Sequence, residues 1–180
     1  MQILPPILAV HTNNQTGFQL GSNDNLFDFT YVGNVAYAHT LAAQALLSTS
    51  KLPTMPLDHE RVDGEAFFIT NDAPVYFWDF ARAIWAAAGS DKGTEHVWVI
   101  GQGTGLMLGG FLEWIMWGLG RKAKLTRRQV RYSCMTRYYD CSKAKRRLGY
   151  KPLVGLKEGI ERGVEWFEAE KLKEVEKKGQ

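Results

Sequence analysis

Apolar residues along this chain follow two periods. Phe18-Gln19-Leu20, Ala66-Phe67-Phe68-Ile69-Thr70 and His96-Val97-Trp98-Val99-Ile100 are short runs. They read as strands, the last two of buried type because apolar character is nearly continuous. Longer stretches carry apolar residues three and four apart and read as helices. Residues 3–12 predict a short helix with Pro5 and Pro6 near its first turn, where a missing N–H costs nothing. Asp28 to Val32 predicts a short strand feeding a helix over 35–49, with Asn34 as its cap and Val35, Ala38, Ala42, Ala45 and Leu46 on one face. A helix over 75–88 ends at Gly89, and a very apolar one covers 105–119. A basic connection follows, then a helix at 142–148 and an amphipathic one at 155–171. The charged tail 172–180 is expected to fray. Strands alternating with helices predict an α/β fold, here one domain over 1–180.

Composition narrows this little. The 180 residues are 45% hydrophobic and 23% charged, ordinary values for a folded chain. A net charge of +3 names no partner. Cys134 and Cys141 fit no zinc spacing and make no disulfide framework, which favours a reducing compartment. Met1 to Pro6 lacks the basic start of a signal peptide, and no apolar run reaches the ~18–20 residues that span a bilayer. The chain reads as soluble or peripheral.

Two local patterns suggest chemistry. Gly101, Gly103, Gly105 and Gly109 lie between a strand and a helix, where glycines can admit a pyrophosphate. The third glycine position of G-x-G-x-x-G is Leu108, so a closely packed helix start is the competing reading. Tyr139 and Lys143 form Y-x-x-x-K, a short pattern that their surroundings explain differently.

Those surroundings, Asp140-Cys141-Ser142-Lys143-Ala144 through Leu148-Gly149-Tyr150-Lys151-Pro152, resemble an element near the C-terminus of extended short-chain dehydrogenases. Ser142 would cap a short helix there and Gly149 would end it. Asp28-Phe29-Thr30-Tyr31-Val32-Gly33-Asn34-Val35-Ala36-Tyr37-Ala38-His39 resembles a segment past that family's catalytic residues. Leu156 to Phe167 resembles its ending, and Phe67 to Phe80 its 3β-hydroxysteroid dehydrogenase branch.

The resemblance implies the C-terminal, substrate-binding part of an enzyme whose cofactor-binding Rossmann half is largely absent from this chain. The parent would oxidise a 3β-hydroxyl of a sterol or steroid with NAD or NADP. The 3-ketone would then let a 4α-carboxylate leave as CO₂. No catalytic, cofactor-binding or metal residue is assigned to this chain, which is expected to bind no cofactor and to be inactive alone. Phe18, Leu20 and Phe27 are candidates for the sterol wall, though they would serve equally as core. Arg137 is a candidate for the carboxylate, since a guanidinium fork fits it; a surface arginine is the alternative. A homodimer of the parent is also implied.

Residues 106–131 join an apolar helix with tryptophans to six cations, which suits an anionic membrane surface; a buried helix beside a solvated basic connection is the alternative. No groove-reading motif accompanies the cations, so nucleic acid is not expected. A peripheral site on the cytoplasmic face of the endoplasmic reticulum would suit a sterol enzyme, with the cytoplasm as alternative. A non-catalytic lipid- or protein-binding module is a second functional reading. A nucleotide-sugar epimerase or dehydratase is a third, opposed by Phe27, where those relatives place a diphosphate-binding arginine.

Overall fold

The computed structural model describes residues 3–123 and 125–178, so 179–180 of the predicted tail lie outside the described residues. In chain order the elements are α1 (Leu4–Thr12), β1 (Phe18–Leu20), β2 (Leu26–Phe27), α2 (Val32–Thr49), β3 (Val75–Tyr76) and α3 (Phe77–Ala87). Then come β4 (Trp98–Ile100), α4 (Gln102–Gly118), α5 (Arg127–Cys134), α6 (Ser142–Leu148) and α7 (Leu156–Lys178). β1 pairs with β4 in parallel, Phe18 opposite Trp98 and Leu20 opposite Ile100. β2 pairs antiparallel with β3, Leu26 opposite Tyr76. The mixture of helices and a parallel pair is the α/β arrangement that the alternation predicts.

Contacts divide the described residues into two compact units. The first holds 28–74 and 138–159. Its core gathers Ala38, Val62, Ala144, Leu148 and Tyr150, with Leu41, Phe67 and Ile69 packed around them. Gly149 ends α6 at φ +65°, a left-handed conformation that costs glycine least, as predicted. The Tyr150 hydroxyl donates to the Thr70 carbonyl at 2.7 Å, and burial pushes its pKa up to about 12.

The second unit holds 3–27, 75–137 and 160–178. Here α1 lies on α3 and α4 on α5, burying Leu4, Ile7, Phe80, Ile84, Trp85 and Val130. Each such side chain removed from water contributes roughly 1.5–3 kcal/mol.

Several expectations are corrected. Asn34 does not cap α2. The helix begins at Val32 with Tyr31 in the cap position, and Asn34 is fully buried in the first turn. Its Nδ2 donates to Asn71 Oδ1 at 2.9 Å and to the Val154 carbonyl at 2.8 Å. Its Oδ1 accepts from the amides of Leu153 and Val154, both at 3.0 Å. Tertiary partners thus claim a side chain that would otherwise bond locally.

The strand expected at 29–32 is absent: the pairing falls one step earlier, at Leu26–Phe27. Residues 66–70 make no ladder; Phe67 and Ile69 turn to the core while Phe68 is exposed. β4 forms as expected, but Trp98 and Val99 are exposed rather than buried. Ser142 is not a cap; its amide donates to Asp140 Oδ1 at 2.8 Å. α7 runs on to Lys178, past the predicted end. α5 forms within the stretch that the sequence predicts as a basic connection. Its signal was a capping box: Gln129 N donates to Thr126 Oγ1 at 3.2 Å, and Thr126 N to Gln129 Oε1 at 2.9 Å.

Candidate functional site

An open cavity of about 490 Å³ lies in the second unit. That is within the ~300–1,000 Å³ usual for small-molecule sites. Ile7 and Val10 reach it from α1, three residues apart on one helical face. Phe77, Trp78, Ala81 and Trp85 reach it from α3, again one face. Leu20 arrives at the end of β1, and α5 contributes Arg128, Gln129, Tyr132 and Ser133.

The indoles present apolar faces because their polar ends are satisfied. Trp85 Nε1 donates to the Ile7 carbonyl at 2.9 Å and Trp78 Nε1 to the Leu20 carbonyl at 2.8 Å. Tyr132 meets Phe77 edge-on, ring centres 6.0 Å apart. The wall is therefore aromatic and aliphatic, with polar groups confined to α5.

The four residues singled out from the sequence fall in different places. Leu20 is on the cavity wall. Phe27 is buried one layer behind it, its ring 5.8 Å from Phe77 and 5.3 Å from Tyr132. Phe18 is 58% exposed on β1. Arg137 holds its guanidinium 5.8 Å from the Phe27 ring centre, and its amide donates to the Leu26 carbonyl at 2.8 Å. Neither Phe18 nor Arg137 lines the cavity. Sequence reasoning missed Trp78, Trp85, Arg128 and Tyr132. The aromatic spacing along 77–85 and the capping box at Thr126 were the available signals.

Beside the cavity, α4 and α5 bound a basic groove lined by Arg127, Arg128 and Arg131. Glu113 is the acid there. Arg127 Nε donates to Glu113 Oε2 at 2.8 Å, which holds the Glu113 carboxyl below the usual range.

Among the described residues, the glycine segment and the Tyr139–Lys143 pair do not fit the nicotinamide cofactor that the resemblance implies for a parent enzyme. A Cβ on Gly105 would sit 3.1 Å from Val130, and one on Gly109 3.1 Å from the Arg127 amide. These glycines let α4 approach α5. Gly101 and Gly103 border open space, and the acidic ribose partner of a dinucleotide site is missing from the sequence beyond them. Tyr139 and Lys143 are also otherwise engaged. Tyr139 stacks on Phe68 with centres 4.6 Å apart, and Lys143 pairs with Glu65 and donates to the Ala66 carbonyl at 3.0 Å. Among the described residues there is no cluster of three metal-ligating side chains.

Fold and cavity together define an α/β protein with an open, largely apolar cavity. Residues 1–99 match the 3-beta hydroxysteroid dehydrogenase/isomerase family. The chain belongs to that family, as its motifs indicated. It is 45% identical over 170 residues to the sterol-4-alpha-carboxylate 3-dehydrogenase, decarboxylating, of Schizosaccharomyces pombe, covering 94% of this chain and 47% of that protein. It is 44% identical over 168 residues to the Saccharomyces cerevisiae enzyme of the same name, covering 93% of this chain and 45% of that one. The chain spans about half the length of these curated relatives. The crystal structure of gox2253 shares the fold with a TM-score of 0.58 at 19% identity, covering 94% of this chain and 44% of that one.

Proposed function

We propose that this chain is the sterol-binding side of an NAD(P)-dependent 3β-hydroxysterol dehydrogenase that decarboxylates a 4α-carboxysterol. The observation that carries the reading is the apolar cavity. Its walls of Ile7, Leu20, Trp78 and Trp85 suit a fused hydrocarbon ring system. The names of the fungal relatives supply the particular sterol.

Oxidation of the C3 hydroxyl would draw on a nicotinamide cofactor as hydride acceptor, with the hydroxyl proton leaving to a base; the described residues of this chain supply neither. A ketone at C3 places the carboxylate β to a carbonyl, so the C4–carboxyl bond can break with its electron pair entering the enolate, CO₂ departing and C4 then taking a proton. This chain's part is to bind: the aromatic wall excludes water from the rings, and Arg128 of α5 stands on the polar side of the cavity. Titrating the chain with a 4α-carboxysterol and following the fluorescence of Trp78 and Trp85 tests this. Saturable quenching, weakened more than about tenfold by Val10→Glu, is expected from a charge placed on an apolar wall. Absence of binding by the wild-type chain would defeat the reading.

The same lobe suits the surface of an anionic membrane. Gly105, Gly109 and Glu113 turn one stripe of α4 to α5, while Met107, Phe111, Trp114 and Trp117 are exposed, Trp117 at 78%. Residues 102–131 contain one acid against six Lys and Arg, and that acid is paired with Arg127. Interfacial tryptophans beside cations favour anionic headgroups. No described helix is long and apolar enough to cross a membrane, so the association would be peripheral, as on the cytoplasmic face of the endoplasmic reticulum. Flotation with phosphatidylserine vesicles should carry the wild-type chain and not Trp114→Glu/Trp117→Glu. Equal behaviour of the two would count against α4.

A further inference from the structure

The sterol reading leaves open what in this chain recognises the carboxylate. Arg128 is the one charged side chain among the described residues lining the cavity. Three other arginines of this unit are committed. Arg127 pairs with Glu113, Arg82 pairs with Asp79 and donates to Gln19, and Arg137 lies over the Phe27 ring. Among the described residues no hydrogen bond or ion pair holds Arg128, and none holds the Tyr132 hydroxyl.

The two side chains stand four residues apart on α5, hence on one helical face. The capping box at Thr126 and the fully buried Val130 on the opposite face fix the rotation of that helix. Arg128 also borders the basic groove, where Arg131 adds positive charge. An uncommitted guanidinium and phenol at the edge of an otherwise apolar cavity gain little from a neutral ligand. They gain two charge-assisted hydrogen bonds from an anionic one.

We propose that Arg128, with the Tyr132 hydroxyl, receives the carboxylate of a ring ligand whose apolar body fills the cavity. The inference rests on the sterol reading and moves the carboxylate from Arg137, which lies off the wall, to α5. Arg128 becomes the residue that makes this site prefer carboxylated over uncarboxylated sterols.

The test uses the whole 180-residue chain and tryptophan fluorescence. The probes are a 4α-carboxysterol, the same sterol without the carboxylate, and a long-chain fatty acid. Arg128→Met keeps an apolar stem and should weaken the carboxysterol about tenfold or more, while leaving the uncarboxylated sterol within about twofold. That unchanged affinity doubles as the folding control. Arg128→Lys should fall between, and Arg137→Met should bind as wild type does. The proposal is overturned if Arg128→Met weakens both sterols equally, or if the preference survives Arg128→Met and is lost in Arg137→Met. A fatty acid binding as tightly as the carboxysterol would overturn the ring ligand in favour of a generic lipid acid. A wild-type chain that binds neither sterol defeats the sterol reading itself. One that binds both without preference defeats this inference alone.

Discussion

Replacing Asn34 with Ala removes four hydrogen bonds at once, and their fates differ. The Val154 carbonyl keeps a second donor, Asn71 Nδ2 at 3.1 Å. Asn71 Oδ1 keeps the Tyr31 amide at 2.9 Å. Leu153 is 65% exposed, so its amide can turn to water. The Val154 amide, in a buried residue, is left with no acceptor. An orphaned buried donor costs about 1–3 kcal/mol, and each of the other losses a net ~0.5–1.5 kcal/mol. Shared partners make these less than additive, so a loss of about 3 kcal/mol is expected. Urea unfolding followed by circular dichroism measures the total, and amide exchange at Leu153 and Val154 reads the local opening. Asn34→Asp adds a control. It keeps acceptors for both amides but turns a carboxylate toward Asn71 Oδ1 and the Val154 carbonyl. Its folded pKa is therefore raised, and the variant should recover stability as the pH falls through that value. A loss below about 1 kcal/mol in Asn34→Ala, with Val154 exchange unchanged, would refute the clamp.

Two further outcomes follow from the same structure. Gly109→Ala brings a Cβ against the backbone of Thr126 and Arg127 and should destabilise by about 1 kcal/mol despite its better helix propensity, whereas Gly103→Ala, facing open space, should be neutral or stabilising; urea melts showing the reverse order would return a ligand role to the glycine segment. Burial pushes the Asp28 carboxyl above its usual range, against hydrogen bonds from Thr70, Ala73 and Asn71, so the folded chain holds this proton more tightly than the unfolded one. Its contribution is greatest below the ordinary aspartate value of about 3.9 and is lost as the pH rises through the folded value. Asp28→Asn should therefore gain on wild type with rising pH, and a variant that loses ground instead would reverse the assigned sign.

Local sequence determined several of the helix ends. Pro5 and Pro6 at the start of α1, Gly89 after α3 and Gly149 after α6 act through their own backbone limits, which need no distant partner. The family motifs were legible for the same reason, being contiguous. Strand pairing was less so: 66–70 has the composition of a buried strand but makes no ladder with the described residues, and β2 forms where Tyr76 and Val75 supply a partner. The site was least legible. Leu20 could be named, because it ends a strand. Arg128, Tyr132, Trp78 and Trp85 come from α5 and α3, some 50 residues apart, and become one wall when those helices pack. Side-chain roles followed suit. Asn34 reads as a cap and Lys143 as half of a catalytic pair until Val154 and Glu65 arrive from elsewhere in the chain and claim them. Backbone preferences are fixed by near neighbours and can be read in order. A buried polar group takes whichever partner folding brings to it, and only the tertiary structure decides that.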